Sequence, residues 1–106
     1  MNPHRGQTNI SLAGKSYPVK LTLDGIAKIE SSVGCSIIKI AQKLSQGDLT
    51  VSEISAILTY AIRSGGNNLT SSDVNIAIWE EGLVNCMKLT GDLITIALDT
   101  GEKGKE

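Results

Sequence analysis

The strongest constraint on this chain is a change in the spacing of its apolar residues at Asp24. Over residues 7–23, apolar and polar residues alternate on both sides of a turn at residues 13–16. The apolar positions are Ile10, Leu12, Tyr17, Val19, Leu21 and Leu23. This alternation predicts a β-hairpin with one apolar face. Pro18 lacks a backbone N–H, which suits an outward-facing edge position, and a lone hairpin needs a surface to pack on.

After Asp24 the spacing becomes helical and is interrupted by glycines. The expected helix caps are Ser36, Thr50 and Thr70, and Glu53 and Asp73 complete two capping boxes. The expected stops are Gly34, Gly47, Gly65, Gly66 and Gly82. In the last segment, residues 83–98, one face carries Val84, Met87, Thr90, Gly91, Ile94 and Leu98, and further apolar residues predict burial on two sides. We therefore predict an α+β fold, with the N-terminal β-hairpin packed on a bundle of four or five helices.

The length and net charge of the chain limit the number of domains and the classes of function that it can have. The 106 residues suit one domain, placed at residues 1–98, with a flexible charged tail at 99–106. Ten Lys and Arg against eleven Asp and Glu give a net charge of −1, without the basic excess typical of nucleic-acid binding. The sequence contains no 18-residue apolar run and starts without a signal-peptide core, so we expect a soluble intracellular protein with no membrane contact. Cys35 and Cys86 are expected to be reduced and buried.

The sequence offers no catalytic, cofactor-binding or metal-binding constellation, and we expect no enzyme. His4 stands alone near the start, without a supporting shell of residues. Glu80, Glu81 and Asp92 are interpreted as solvated surface carboxylates. Gly65 and Gly66 follow a helix rather than a strand, which indicates a helix end and not a phosphate cradle.

Four residues are candidates for binding a partner: Arg5, Tyr60, Arg63 and Trp79. Trp79 has two interpretations, a large ring that covers the core or an anchor in a protein interface. Arg63 likewise either complements the dipole at the end of its helix or contacts a partner. A small helical DNA-binding regulator is one further alternative, because two capped helices flank a turn within residues 51–80. The loop at 64–69 is long for such a motif, and the helix after it lacks Lys and Arg.

The order of several short segments resembles the tail assembly chaperone family of bacterial gene transfer agents, siphophages and prophages. The matching segments are residues 2–6, 12–22, 26–30 with Gly34, 57–58, 61–63, 65–66, 69–70 and Val74. The resemblance spans about residues 2–98. The chain departs from the family at Gln7, where an acidic residue is usual, and in the Ile-rich second half.

This resemblance implies a non-enzymatic factor of virion assembly in the bacterial cytoplasm. It would hold the tape measure protein before the tail tube polymerises, with the tape measure protein and other tail proteins as partners. The alternative is a structural tail tube or minor tail component, which would be virion-associated. The apolar helix faces at residues 51–64 and 83–98 and the hairpin edge also predict a homo-oligomer. Pro18 and Lys20 can protect that edge, which favours the 83–98 helix as the contact.

Overall fold

A computed structural model describes residues 7–99 as an antiparallel hairpin followed by five helices. The elements are β1 (Gln7–Leu12), β2 (Lys15–Lys20), α1 (Leu23–Val33), α2 (Ile37–Ser45), α3 (Val51–Ser64), α4 (Ser71–Glu81) and α5 (Leu83–Asp99). The predicted α+β fold is confirmed. Asp99 ends α5, and the remainder of the predicted charged tail lies outside the described residues.

The hairpin turn is shorter than the sequence predicts. Only Ala13 and Gly14 lie between the strands, and both have positive φ, 53° and 81°. Two residues with positive φ form the turn whose twist matches that of a hairpin. Lys15 and Ser16, expected in the turn, therefore begin β2.

The apolar face of the hairpin forms one wall of the core. Ile10, Leu12, Val19 and Leu21 are all buried, as predicted. Leu23 was expected to continue this face, but it is 84% exposed. The reason is that Thr22 caps α1 by accepting a hydrogen bond from the backbone N–H of Gly25, so Leu23 already belongs to the helix.

Most helices begin and end at the predicted signals, but α2 ends at Ser45 with Gln46 as its C-cap, before the predicted stop at Gly47. The hydroxyl oxygens of Ser36, Thr50 and Thr70 each accept a backbone N–H from three residues further on. The carboxylates of Glu53 and Asp73 close both capping boxes by accepting the backbone N–H of the cap residue. Each box satisfies two donors that a helix N-terminus leaves without partners. The ends of α1 and α4 fall at Gly34 and Gly82, both with positive φ.

Helix α3 is the centre of the fold, with α1, α4, α5 and β2 packed around it. Its buried apolar side chains are Ile54, Ile57, Leu58, Ala61 and Ile62. At the end of α3, Gly65 lies so close to β2 that a Cβ atom there would be 2.1 Å from the carbonyl oxygen of Pro18. The hairpin therefore rests directly against the last turn of α3.

Burial along α5 differs from the prediction. The fully or nearly buried residues are Cys86, Thr90, Leu93, Ile94 and Ala97, whereas Val84 is 76% exposed. These buried positions form one broad helix face, flanked by half-buried residues, rather than two buried sides. Cys86 is a buried free thiol, and Cys35 is only half-buried, which corrects the expectation for that residue. None of the helices within residues 7–99 has the length and hydropathy that a membrane crossing requires.

Candidate binding groove

A groove of about 580 Å³ opens between α3 and α4 and extends to the start of α5. We call it the α3–α4 groove. Its α3 side is formed by Ser52, Ser55, Ala56, Thr59, Tyr60 and Arg63, and its other side by Asn75, Ile78, Trp79 and Leu83, among others. Small side chains dominate the α3 side, and large apolar ones lie opposite. The two helices therefore leave space between them at this surface.

The groove follows from the residue pattern of α3. Most bulky apolar residues of α3 point into the core, and the middle of the groove side carries serine, alanine and threonine, with Tyr60 and Arg63 toward the end of the helix. These short side chains cannot fill the space between two helices. One hydrogen bond crosses the groove, from Ser55 Oγ to Asn75 Oδ1 at 2.5 Å. Thr59 turns its hydroxyl to the Ser55 carbonyl of its own helix at 2.7 Å and so adds no link to α4.

Trp79 lies on the rim of this groove and is 88% exposed. The interpretation of Trp79 as a core cover is therefore wrong. The buried side of α4 is formed by Val74, Ala77 and Ile78. Successive residues of a helix are turned by about 100°, so Trp79 is rotated away from the core relative to Ile78. The rotation places the large ring at the surface, beside the open space.

Three of the four predicted partner-binding residues line the same groove. Tyr60 is half-buried, Arg63 is exposed, and Trp79 stands opposite them on α4. Arg63 also lies in the last turn of α3, where its charge complements the helix dipole, so both interpretations of Arg63 agree with its position. The fourth candidate, Arg5, lies outside the described residues, as does His4.

The groove is lined almost entirely by uncharged groups. Of the residues that line it, Arg63 alone carries a formal charge. The rest are hydroxyl, amide, aromatic and aliphatic groups, which suit one or two apolar anchors and a few hydrogen bonds. Within residues 7–99, no group of three or more His, Cys, Asp or Glu side chains is placed to hold a metal ion.

None of the described groups with a shifted pKa lines the α3–α4 groove. Lys43 on α2 donates to Glu53 at the start of α3, and this hydrogen bond raises the pKa of Lys43. For Glu53, burial opposes ionisation, but the hydrogen bonds from Lys43 and from the Thr50 backbone prevail and lower its pKa. The backbone hydrogen bond from Thr70 lowers the pKa of Asp73, and burial raises that of the Cys86 thiol.

Glu81 is a structural residue that the sequence interpretation placed among solvated carboxylates. Its Oε1 accepts the backbone N–H of Ala13 at 2.8 Å, and its Oε2 accepts from Asn85 Nδ2 at 3.2 Å. This contact ties the turn of the hairpin to the end of α4. Glu81 and Ala13 are 68 residues apart, so no local signal in the sequence pairs them.

A comparison with protein families matches nearly the whole chain. A family model described as phage tail tube protein, GTA-gp10, matches residues 5–100. This range contains both strands, all five helices and the α3–α4 groove. Comparisons with curated proteins and with solved structures give no significant match.

Proposed function

Since the chain belongs to the phage tail tube protein family, GTA-gp10, we propose that it is a structural component of a phage or gene transfer agent tail. In this role it is retained in the particle and binds a neighbouring tail protein through the α3–α4 groove. The family is a structural one, and its description supports a structural tail component better than an assembly chaperone. A tail protein also has other tail proteins as its natural partners.

The observation that carries the proposal is the exposure of Trp79 beside an open groove. Tryptophan, tyrosine and arginine are the residues most enriched among those that dominate binding energy in protein interfaces. Here Trp79, Tyr60 and Arg63 line one groove, although Trp79 is on a different helix from the other two. An 88% exposed tryptophan gains its hydrophobic stabilisation only when a partner covers it.

The shape and charge of the groove indicate which side chains a partner segment needs in order to fit it. It runs between two helices, has an apolar side at Ile78, Trp79 and Leu83, and has the positive charge of Arg63 at the end of α3. A partner segment that fits has an apolar ridge beside an acidic or carbonyl group. An amphipathic helix supplies such a ridge through residues spaced three and four apart. We infer that the neighbouring tail protein contributes a helix of this kind.

The test compares tails assembled with Trp79→Ala and with Ile76→Ala. Both residues are exposed apolar side chains on α4, but Ile76, 60% exposed, does not line the groove. We expect Trp79→Ala to lower the amount of this chain in purified particles by about tenfold or more, because it removes the anchor. Ile76→Ala should leave incorporation near the wild-type level. Thermal melts of both variants check that the fold is retained.

Two results would overturn the structural role as proposed. One is wild-type incorporation of the Trp79→Ala chain, which would remove the groove from the interface. The other is the absence of the wild-type chain from purified particles, measured by mass spectrometry against known tail proteins. The second result would favour the chaperone function.

That chaperone function is the second candidate, and the same groove supports it. An assembly chaperone would use the α3–α4 groove to hold a helix of the tape measure protein in the cytoplasm and would release it when the tube polymerises. It would co-purify with the tape measure protein from lysates and be absent from finished particles. Trp79→Ala would then weaken the co-purification, with Ile76→Ala again as the matched control.

A further inference from the structure

The two edges of the β-hairpin differ in their freedom to bind another strand. On the β2 edge, Pro18 has no N–H to donate, and Gly65 lies against the Pro18 carbonyl group. Lys15 and Lys20 add charge to the same strand. Covering an edge and placing Pro or Lys on it are recognised means of preventing strand pairing. The β2 edge is therefore closed to a further strand.

The strand register shows which groups point away from the hairpin on the β1 edge. Leu12 and Lys15 flank the two-residue turn and so form the first hydrogen-bonded pair. The alternation of an antiparallel ladder then makes Ser11↔Ser16 and Asn9↔Pro18 the pairs without mutual hydrogen bonds. The position of Pro18 agrees, because such a pair needs no N–H.

It follows that the backbone N–H and C=O groups of Asn9 and Ser11 point outward. Within residues 7–99, no other segment forms a hydrogen bond with these backbone groups. Both residues are exposed. The edge of β1 thus presents two donors and two acceptors in the geometry that an additional strand requires.

We propose that this edge pairs with β1 of a second copy of the chain, antiparallel, to form a four-stranded sheet across a two-fold axis. Asn9 of each copy then faces Ser11 of the other, and each facing pair exchanges two backbone hydrogen bonds. A second copy fits because the pairing strand, Gln7–Leu12, contains neither a charged residue nor proline. Identical strands therefore meet without like charges, and the lysines of the hairpin stay on the outer strands.

The proposal concerns the isolated protein and does not depend on the role proposed for the α3–α4 groove. Its first test is sedimentation velocity of the full chain across micromolar concentrations. We expect a dimer, and we expect Asn9→Pro to weaken dimerisation by about tenfold or more, because each copy loses an outward N–H. Ser16→Pro is the matched control, since it removes an outward N–H from the closed β2 edge. It should leave the dimer intact.

A second measurement applies if either proline variant loses its fold. The chain with Asn9→Cys is mixed with the chain carrying Ser11→Cys under mild oxidation. Facing residues of a hydrogen-bonded pair lie about 5.5 Å apart between Cα atoms, a separation that a disulfide can span. Peptide mapping should find position 9 joined to position 11 between copies. Replacing the Asn9→Cys chain by one with Ser16→Cys should abolish that product.

Three results would overturn the proposal. The first is a monomer throughout the micromolar range. The second is a dimer of folded protein that is unaffected by Asn9→Pro, which would place the contact on another surface such as α5 or the α3–α4 groove. The third is equal cross-linking from the two strand edges.

Discussion

The two sides of α3 differ in how completely their side chains are packed. Toward the core, α3 presents Ile54, Ile57, Leu58 and Ile62, each no more than 1% exposed, and its last turn lies against the hairpin. Toward α4 near the surface, the middle of α3 presents mainly serine, alanine and threonine, and a groove remains open. The first side packs the core, and the second borders the open space where we propose that a partner binds. From this difference we infer that the stability of the domain does not depend on filling the groove.

The largest expected effect is on the free energy of unfolding. It is measured by shortening one side chain on each side of α3. Leu58→Ala should lower the free energy of unfolding by about 3 to 4 kcal/mol, because it leaves a cavity in the packed core. Val51→Ala, at a 54% exposed position that lines the groove, should change it by less than about 0.5 kcal/mol. Urea unfolding followed by circular dichroism measures both values. Equal losses for the two variants would show that the groove side also carries the fold.

A somewhat smaller effect is expected where α3 meets the hairpin. Gly65 has a φ of −82°, which any residue adopts, so the reason for glycine is space. In Gly65→Ala the new Cβ would lie 2.1 Å from a backbone oxygen and the two segments must separate, at a cost of about 2 to 3 kcal/mol. Gly91→Ala is the control: its Cβ would meet only the flexible end of Leu44 at 3.3 Å. An unchanged Tm for Gly65→Ala would mean that the hairpin is not tightly seated.

The smallest expected effect concerns the charge at the start of α3. The pKa of Glu53 is lowered in the folded state, so its ionised form stabilises the fold above its ordinary pKa of about 4.3. This stability is lost as the pH falls through the lowered value. Glu53→Gln keeps an acceptor for the Thr50 N–H but removes the charge that pairs with Lys43.

We therefore expect Glu53→Gln to melt below the wild type at neutral pH and to approach it in acid. The measurement is Tm as a function of pH, with Glu80→Gln, at an exposed position outside the groove, as the control. A Tm difference that persists unchanged at low pH would contradict a role for the charge.

The local elements were predictable from the sequence, because their signals are local. The capping boxes at Thr50 and Thr70 and the glycine stops fix the helix ends through contacts within about four residues. The apolar face of the hairpin was equally predictable, since side chains alternate between the two faces of a strand and the apolar residues therefore mark one face. Two local boundaries at the hairpin differ from the prediction: the hairpin turn contains only Ala13 and Gly14, and Thr22 starts α1 earlier than the apolar pattern indicates.

The features that could not be predicted from the sequence depend on how the helices and the hairpin are oriented against one another. From the sequence, Trp79 suits either a core cover or an interface anchor, and the orientation of α4 turns it outward. Val84 fits an apolar stripe on α5, but the rotation of that helix buries Cys86 instead. The hydrogen bond from Ala13 to Glu81 joins residues 68 positions apart. The candidate residues Tyr60, Arg63 and Trp79 were named individually, and only the structure brings them to one groove.

The covered β2 edge also limits the number of additional strands that the hairpin can pair with. With Pro18 held against Gly65, the β2 edge is covered, whereas the β1 edge is the one that we propose pairs with a neighbour. In the pairing that we propose, contacts through β1 therefore end at two copies, and the sheet does not lengthen from copy to copy into a fibre. A tail repeats its subunits many times along one axis, so any such repetition by this chain would need a second contact with a different geometry. In such an assembly, Gly65 keeps the β2 edge covered, so further growth depends on side-chain contacts rather than on backbone pairing.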